Sequence, residues 1–493
     1  MIPLSGSPLG QLALAFAAGA VSVLAFAPFE LAPLAVLALA LLFYLWRHPP
    51  RPGFNTWTGL AFGAGLMGFG VFWLRISIAQ FGGVNLPLAI TATLLLVAFM
   101  ALYYGLAGWL AERLLRRADP ISLLLLFPAL WVLGEWLRGW LLTGFPWLAL
   151  GYSQIDMPLA GLAPLGGVYL VSFAVALSAA LINLLPRPGA MIGLLVLWGA
   201  AFALQGKSWV STAGDPFQAS LLQGNIPQAQ KWNASMRRPT IELYLDMTAA
   251  SDSRLVVWPE TAVPAFVSEV DDSLLVPLHE SLREQGRDVL LGIVDGRRDG
   301  DYFNAMLSLG VGGRTYYHKR HLVPFGEYLP LDKLIRPLLD WLHIPMSDFA
   351  VGADQQPLPT LAGYPAGIDI CYEDAYATEI LRALPQATFL VNASNDAWFG
   401  DSLAPHQHLE IARMRALESG RYLLRATNTG ISAVIDQHGT LRGVAPQFKR
   451  AVLTEQVVPL QGSTPFVRWG NTGVIALAVF LLVIGMLRQR SGG

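Results

Sequence analysis

The sequence predicts a polytopic α-helical membrane protein of about eight spans, with an α/β domain inserted before the last span. Three observations lead there. Of 493 residues, 54% are hydrophobic and only 14% charged, which is too apolar for an ordinary soluble chain. Long apolar stretches fill residues 9–205 and return at 470–487, whereas 207–468 alternates short strand-like runs with amphipathic segments. The chain has one cysteine, Cys371, and it closes one of those short runs.

The apolar stretches, broken by Pro, Gly and Arg, lie near 9–27, 31–46, 57–74, 87–111, 121–141, 160–184, 189–205 and 470–487. Several are short for a bilayer helix of ~20 residues, so the first two could be tilted or partly re-entrant. Each must be helical, because hydrocarbon offers no partner to a free backbone group. Arginine sets the orientation. With the N-terminus inside, inner connections carry Arg47, Arg51, Arg113, Arg116, Arg117 and Arg187, and the tail adds Arg488 and Arg490. Only Arg75 and Arg138 fall on the outer side. Seven spans before the inserted domain satisfy the positive-inside rule and put that domain outside, in the periplasm of a two-membrane bacterium. The expected domains are 1–206, 207–468 and 469–493, the last a helix with a short cytoplasmic tail. The N-terminus opens without Lys or Arg, so a cleavable signal peptide is not expected.

Composition also excludes. A net charge of −1 argues against a nucleic-acid partner, and one cysteine forbids an internal disulfide or a Cys-rich metal site. No cofactor or metal is expected.

Within 207–468, strand-like runs include F-Q-A-S-L-L-Q-G-N, R-L-V-V-W-P-E, D-V-L-L-G-I-V-D, N-A-M-L-S-L, A-G-I-D-I-C, A-T-F-L-V-N-A-S and G-I-S-A-V-I-D. Helices are expected near 234–251 and 272–286, and from His406 to Gly420 with much of its charge on one face. This alternation predicts one α/β domain with a sheet buried on a helical layer. Residues 332–346, D-K-L-I-R-P-L-L-D-W-L-H-I-P-M, read either as a surface helix or as a lid that touches lipid.

The chemistry-bearing residues end three separate segments. G-I-D-I-C-Y-E-D carries Cys371, L-V-V-W-P-E ends in Glu260, and Y-H-K-R-H-L-V-P-F-G-E holds Lys319 and Glu327. A strand ending in a sharp turn would lift the Cys371 sulfur out of the packing. A free thiol is mostly protonated at neutral pH and needs a base, which Glu260 can supply. Lys319 offers a cation for a developing oxyanion. Each has a bland alternative: a small buried hydrophobe, a solvated strand end, a charged loop. Together they make a nucleophilic site.

These residues, in this chain order, resemble the Glu-Lys-Cys arrangement of the nitrilase superfamily. Within it, the membrane topology and the strings G-F-P-W-L-A-L-G-Y-S-Q, Q-G-N-I-P-Q-A-Q-K-W, V-P-F-G-E-Y-L-P and N-D-A-W-F-G resemble the apolipoprotein N-acyltransferase family. The likeness covers nearly the whole chain. It implies an α-β-β-α sandwich for the inserted domain and acyl transfer in the bacterial inner membrane. The implied donor is a phospholipid, usually phosphatidylethanolamine. The implied acceptor is the α-amino group of the diacylglyceryl-cysteine of an apolipoprotein. It further implies Cys371 as nucleophile, Glu260 as general base and Lys319 as oxyanion stabiliser, with Glu327 and Glu373 in support. Trp232, Tyr372 and Trp398 match aromatic positions around the acyl chain or lids, and Trp147 a position near the membrane-side entrance. Asn304 is expected to help fix Lys319 or Glu260. The residue types alone leave a membrane-tethered amidase open, since water could replace the amine. A transporter with an inactive α/β domain is the rival of another class, and Glu135 is the one carboxylate clearly inside an N-terminal span.

Overall fold

Prolines mark where the helices of the N-terminal half begin. Pro8, Pro33, Pro120 and Pro188 each occupy a first turn, where the missing N–H would have no partner anyway. The computed structural model describes residues 7–115, 119–296, 300–333, 336 and 348–491. Its helices are α1 (Pro8–Ser22), α2 (Pro33–Arg47), α3 (Phe54–Gly70), α4 (Leu74–Phe81), α5 (Leu86–Leu114), α6 (Pro120–Arg138), α7 (Ala163–Ile182) and α8 (Pro188–Gln205). Four longer ones follow: α9 (Ala234–Ala249), α10 (Val276–Glu284), α11 (Ala404–Ser419) and α12 (Thr472–Ser491).

All eight apolar stretches are helical, but by length and apolar character they supply six to seven spans, and an eighth requires the short α2 to cross as well. Among the described residues six helical stretches are long and apolar enough to cross a membrane, the first of them Pro8–Ala25, and the count is seven if the bent pair α3–α4 is one span. Helix α2 has only 15 residues. At 1.5 Å per residue it covers about 22 Å of a ~30 Å hydrocarbon core. The protein is a multi-pass membrane protein.

The chain divides into two units. The helical unit comprises residues 1–75, 86–208 and 468–493. Its interior is knit by rings: Phe43, Trp46, Phe62, Tyr104, Phe127 and Trp131 form one chain of aromatic contacts. Helices α1 and α3 touch backbone to backbone. A Cβ on Gly19 would lie 2.0 Å from the Phe62 carbonyl oxygen, and one on Gly65 2.1 Å from that of Phe16. Small residues at such crossings are what lets helices pack in lipid.

The second unit comprises residues 76–85 and 209–467. Its strands are β1 (Val210–Thr212), β2 (Phe217–Gln223), β3 (Leu255–Val257), β4 (Asp288–Gly296), β5 (Tyr302–Gly310), β6 (Thr315–His318), β7 (Thr360–Leu361), β8 (Tyr364–Ile370), β9 (Phe389–Ser394), β10 (Leu423–Thr427), β11 (Ala433–Ile435), β12 (Leu441–Val444), β13 (Ala451–Val457) and β14 (Leu460–Gly462). They form not one sheet but two of six strands, ordered β13-β2-β3-β4-β5-β6 and β12-β11-β10-β9-β8-β7, with β1 and β14 pairing separately. The single-sheet reading failed because β2, β3, β8, β9 and β10 are parallel neighbours buried on both faces along most of their length, so their runs carry no alternation of apolar and polar positions.

Leu221, Val257 and Leu290 of the first sheet meet Ile370, Val391 and Leu424 of the second in a core between them. Leu222, Val256 and Leu291 face away, toward Tyr244 and Met247 of α9 and Leu282 of α10. Leu390, Leu423 and Ala433 face α11. The result is a four-layer α-β-β-α sandwich. Helix α11 departs from the expected charged face: His408, Glu410, Arg415 and Glu418 are all buried. The segment 332–346 lies almost wholly outside the described residues.

Candidate active site

Three strand ends carry the site. Strand β8 stops at Ile370, and Cys371 adopts φ +54°, a conformation that costs an L-residue about 1–3 kcal/mol and so must be held by its surroundings. The turn that follows, Cys371–Ala375, is a single 3₁₀ helix. Its carbonyl is gripped from behind: Asn392 Nδ2 donates to the Cys371 oxygen at 3.0 Å, and His408 Nε2 stands 3.3 Å from it. The thiol itself is buried, with 6% exposure.

Glu260 follows β3 through Trp258 and Pro259. Trp258 is fully buried, stacks on Tyr244 and donates its Nε1 hydrogen to Thr248 on α9 at 2.9 Å, which anchors the strand end. Lys319 follows β6, the neighbour of β5, and its backbone N–H donates to the Asn304 carbonyl. Asn304 Nδ2 donates both to Glu260 Oε1 (2.7 Å) and to Glu327 Oε1 (2.9 Å). Lys319 Nζ donates to Glu327 Oε1 at 2.9 Å and lies 3.6 Å from Glu260 Oε1. Val323 N–H closes the loop on Glu327 Oε2. Glu260 Oε2 is buried and makes no hydrogen bond among the described residues. That leaves one carboxylate oxygen free beside the thiol.

Electrostatics separates the roles. Burial pushes the Cys371 thiol far up and the Glu260 charge adds to this, with Lys319 opposing, so the resting group is a thiol. Burial weakens the Lys319 ammonium, but Glu327 and Glu260 outweigh it and hold the proton firmly. Glu373 is raised to about 6, burial acting against Lys319 and three backbone N–H groups. It accepts from the N–H groups of Ile370, Arg320 and His321 and from the Tyr317 hydroxyl, so it ties the end of β8 to the Lys319 loop. Chemically, the cluster offers a nucleophile, a base with an open oxygen, and a cation.

Two family models match the chain: the apolipoprotein N-acyltransferase N-terminal domain over residues 18–181 and carbon-nitrogen hydrolase over 218–463. Proteins named apolipoprotein N-acyltransferase align along its full length. That of Methylococcus capsulatus is 46% identical over 488 residues, covering 97% of this chain and 96% of its own. That of Nitrosomonas europaea is 46% identical over 490 residues, 98% of each chain. That of Azotobacter vinelandii is 45% identical over 493 residues, covering 97% and 95%. The chain belongs to the apolipoprotein N-acyltransferase family.

The family assignment gives the remaining expected residues a frame. Tyr372 is half-buried, its hydroxyl accepts from that of Tyr376 at 3.0 Å, and its ring meets those of Tyr376 and His321. Trp232 and Trp398 are exposed, at 53% and 38%, and the Trp398 carbonyl accepts from Ser77. Trp147 belongs to the helical unit, buried with its ring against Trp73 and Phe145. The loop around it is fastened to α6: Arg138 Nη1 donates to the Phe145 and Trp147 carbonyls, and Glu135 accepts from Leu150 N–H and Trp131 Nε1. Glu135 thus holds a loop, which removes the feature that a transporter reading used.

Sequence reasoning missed a second cluster. Asp374 accepts from His408 Nε2 (2.9 Å) and Arg425 (3.3 Å), and Asp396 from His408 Nδ1 (3.1 Å), Arg425 (2.9 Å) and Ser394 (2.7 Å). Asn392 bridges Arg425, Asp369 and the Cys371 carbonyl. The signal was present: Asp369, Asn392 and Arg425 each interrupt an otherwise apolar buried strand, where a polar residue needs partners. Lys231 was missed as well.

Proposed function

We propose that the protein transfers an acyl chain from a phospholipid, with phosphatidylethanolamine the favoured donor, through a thioester on Cys371. The acceptor is the α-amino group of the diacylglyceryl-cysteine that begins an apolipoprotein. One observation carries the chemistry: a buried thiol at a strained turn, beside a carboxylate with one free oxygen and a paired ammonium.

In the first half-reaction Glu260 takes the Cys371 proton as the sulfur attacks the ester carbonyl, and Lys319 stabilises the oxyanion. The tetrahedral species collapses, the lysophospholipid alkoxide leaves with the proton from Glu260, and a thioester remains. In the second half Glu260 accepts a proton from the attacking amine, and the thiolate leaves and recovers that proton. An α-amine suits this step, since a pKa near ~7.7–8.0 leaves it partly neutral at physiological pH. Glu327 and Asn304 hold Lys319 and Glu260 at their spacing, and Glu373 holds the two loops together. Tyr372, Trp232 and Trp398 shield the thioester from water, and Trp147 supports the membrane-side entrance.

The catalytic domain, residues 207–468, which in the sequence follows the helices of 1–206 and precedes that of 469–493, works on the periplasmic side of the inner membrane. Counting α2 as a crossing gives seven before it, which leaves the arginine-rich connections on one side with both termini.

The test is discharge of the acyl-enzyme. Protein charged with phosphatidylethanolamine should lose its acyl chain on addition of a diacylated lipopeptide with a free α-amine, and keep it when that amine is acetylated. Rapid loss to water without response to lipopeptide would replace this reading with the amidase.

A further inference from the structure

Lys231 is a second buried ammonium at this site, and no ion pair among the described residues accounts for it. It is 3% exposed, at the end of the single turn Gln228–Lys231, and its Nζ donates to the Glu260 carbonyl oxygen at 2.9 Å. Among the described residues no carboxylate pairs with it. Of its three N–H donors, one has a partner among the described residues, and that partner is a neutral carbonyl. A buried ammonium left in this state is costly, and a methionine would fill the same space. Lys319, by contrast, donates to Glu327 at 2.9 Å and forms an ion pair with Glu260 at 3.6 Å.

The turn is not free to swing away. Gln228 Oε1 accepts from Asn395 Nδ2 at 2.7 Å, and Asn225 and Ile226 N–H donate to Asn428, whose own amide donates to Asn395. The ionisable groups whose charges act on Lys231 are Glu260, beyond the end of β3, and Cys371, beyond the end of β8.

We propose that Lys231 is a second active-site cation, which holds Glu260 by its backbone and offers its remaining N–H groups to the negative charge that forms at Cys371 and at the carbonyl it attacks. The part that concerns the carbonyl rests on the acyl-transfer reading; the part that concerns the thiolate does not. Burial brings the ammonium down to about 8, against the pull of Glu260 and Cys371, so its charge is lost within the range of an ordinary pH series.

The experiment uses full-length protein in detergent and two readouts between pH 6 and 10. One is alkylation of Cys371 by iodoacetamide, which needs no lipid. The other is mass gain from phosphatidylethanolamine without an acceptor, so that no amine substrate titrates. Lys231→Met should slow acylation about ten- to a hundredfold below pH 8, the scale of a lost charge-assisted hydrogen bond. It should also move the alkylation curve to higher pH and leave the melting temperature unchanged or raised. Lys231→Arg should recover part of the rate. Lys231→Gln keeps a donor to the Glu260 carbonyl without the charge and should behave as Lys231→Met does. Wild-type rates and an unmoved alkylation curve in folded Lys231→Met or Lys231→Gln would overturn the proposal. If the wild type gains no acyl chain while the alkylation curve still moves in the variants, the acyl-transfer reading fails and the thiolate role stands.

Discussion

Two buried charge clusters flank Cys371, and they differ in what they leave open. Behind the Cys371 turn, Asp374 and Asp396 each accept from both His408 and Arg425, all four side chains being fully buried. On the opposite sheet Glu260, Glu327, Lys319 and Asn304 form a looser set in which Glu260 Oε2 and Asn304 Oδ1 have no partner among the described residues. Two acids held twice over serve as a platform that keeps a left-handed cysteine in place. A base with an idle oxygen can accept a proton. Burial is common to both clusters, and each holds an idle polar atom among the described residues, Arg425 Nε in one and Glu260 Oε2 in the other. What differs is that Glu260 offers a carboxylate oxygen, which can take up a proton, whereas the guanidinium cannot.

The sharpest way to break this comparison is to remove charge from each side and read activity and stability separately. Glu260→Gln should lower turnover by about 10²–10⁴-fold, as loss of a general base does, with the melting temperature unchanged or raised. Lys319→Arg should lower it by about 10²–10³-fold, since a planar fork cannot replace a compact ammonium held against two carboxylates. Arg425→Met should do the reverse. It leaves Asp374 and Asp396 to share His408 alone, a broken buried charge network that costs about 3–5 kcal/mol, and the melting temperature in detergent should fall well before activity per folded molecule does. Equal losses of stability on both sides would erase the distinction.

A pH series sharpens it further. Burial and Arg425 press the His408 imidazolium down, but Asp374 and Asp396 outweigh them and raise it to about 9. A group raised on folding contributes fully below its unfolded value, near 6.5, and that contribution fades as pH climbs through 9. Lys231, lowered to about 8, acts with the opposite sign only above that pH, and Glu373, raised to about 6, has titrated below the window. Between pH 6.5 and 8 the protein should therefore lose stability, and His408→Gln should flatten that slope. The smallest effect is expected from Trp232→Ala. At 53% exposure it should change stability by no more than about 0.5 kcal/mol and act on the KM for phospholipid.

Much of this was legible in the sequence because hydropathy and turn chemistry are local. The eight apolar helices follow from composition alone, and the thiol at a strand-ending turn follows from G-I-D-I-C-Y-E-D. What escaped was non-local. The second sheet could not be read from parallel strands without alternation, and the short α2 showed its shortfall only once its ends were fixed at Pro33 and Arg47. The partners of Asp369, Asn392 and Arg425 lie on neighbouring strands or beyond them, so the sequence shows the need for a partner but not its name. Lys231 looked like one basic residue in a polar string, and only its burial against the Glu260 carbonyl sets it apart.

The central claim is that Cys371 carries the acyl group between two lipids, and intact mass measures it most directly. Full-length protein incubated with phosphatidylethanolamine alone should gain the mass of one acyl chain, which hydroxylamine removes and which Cys371→Ser never acquires. An unmodified wild-type mass, or an adduct that persists in Cys371→Ser, would contradict the account.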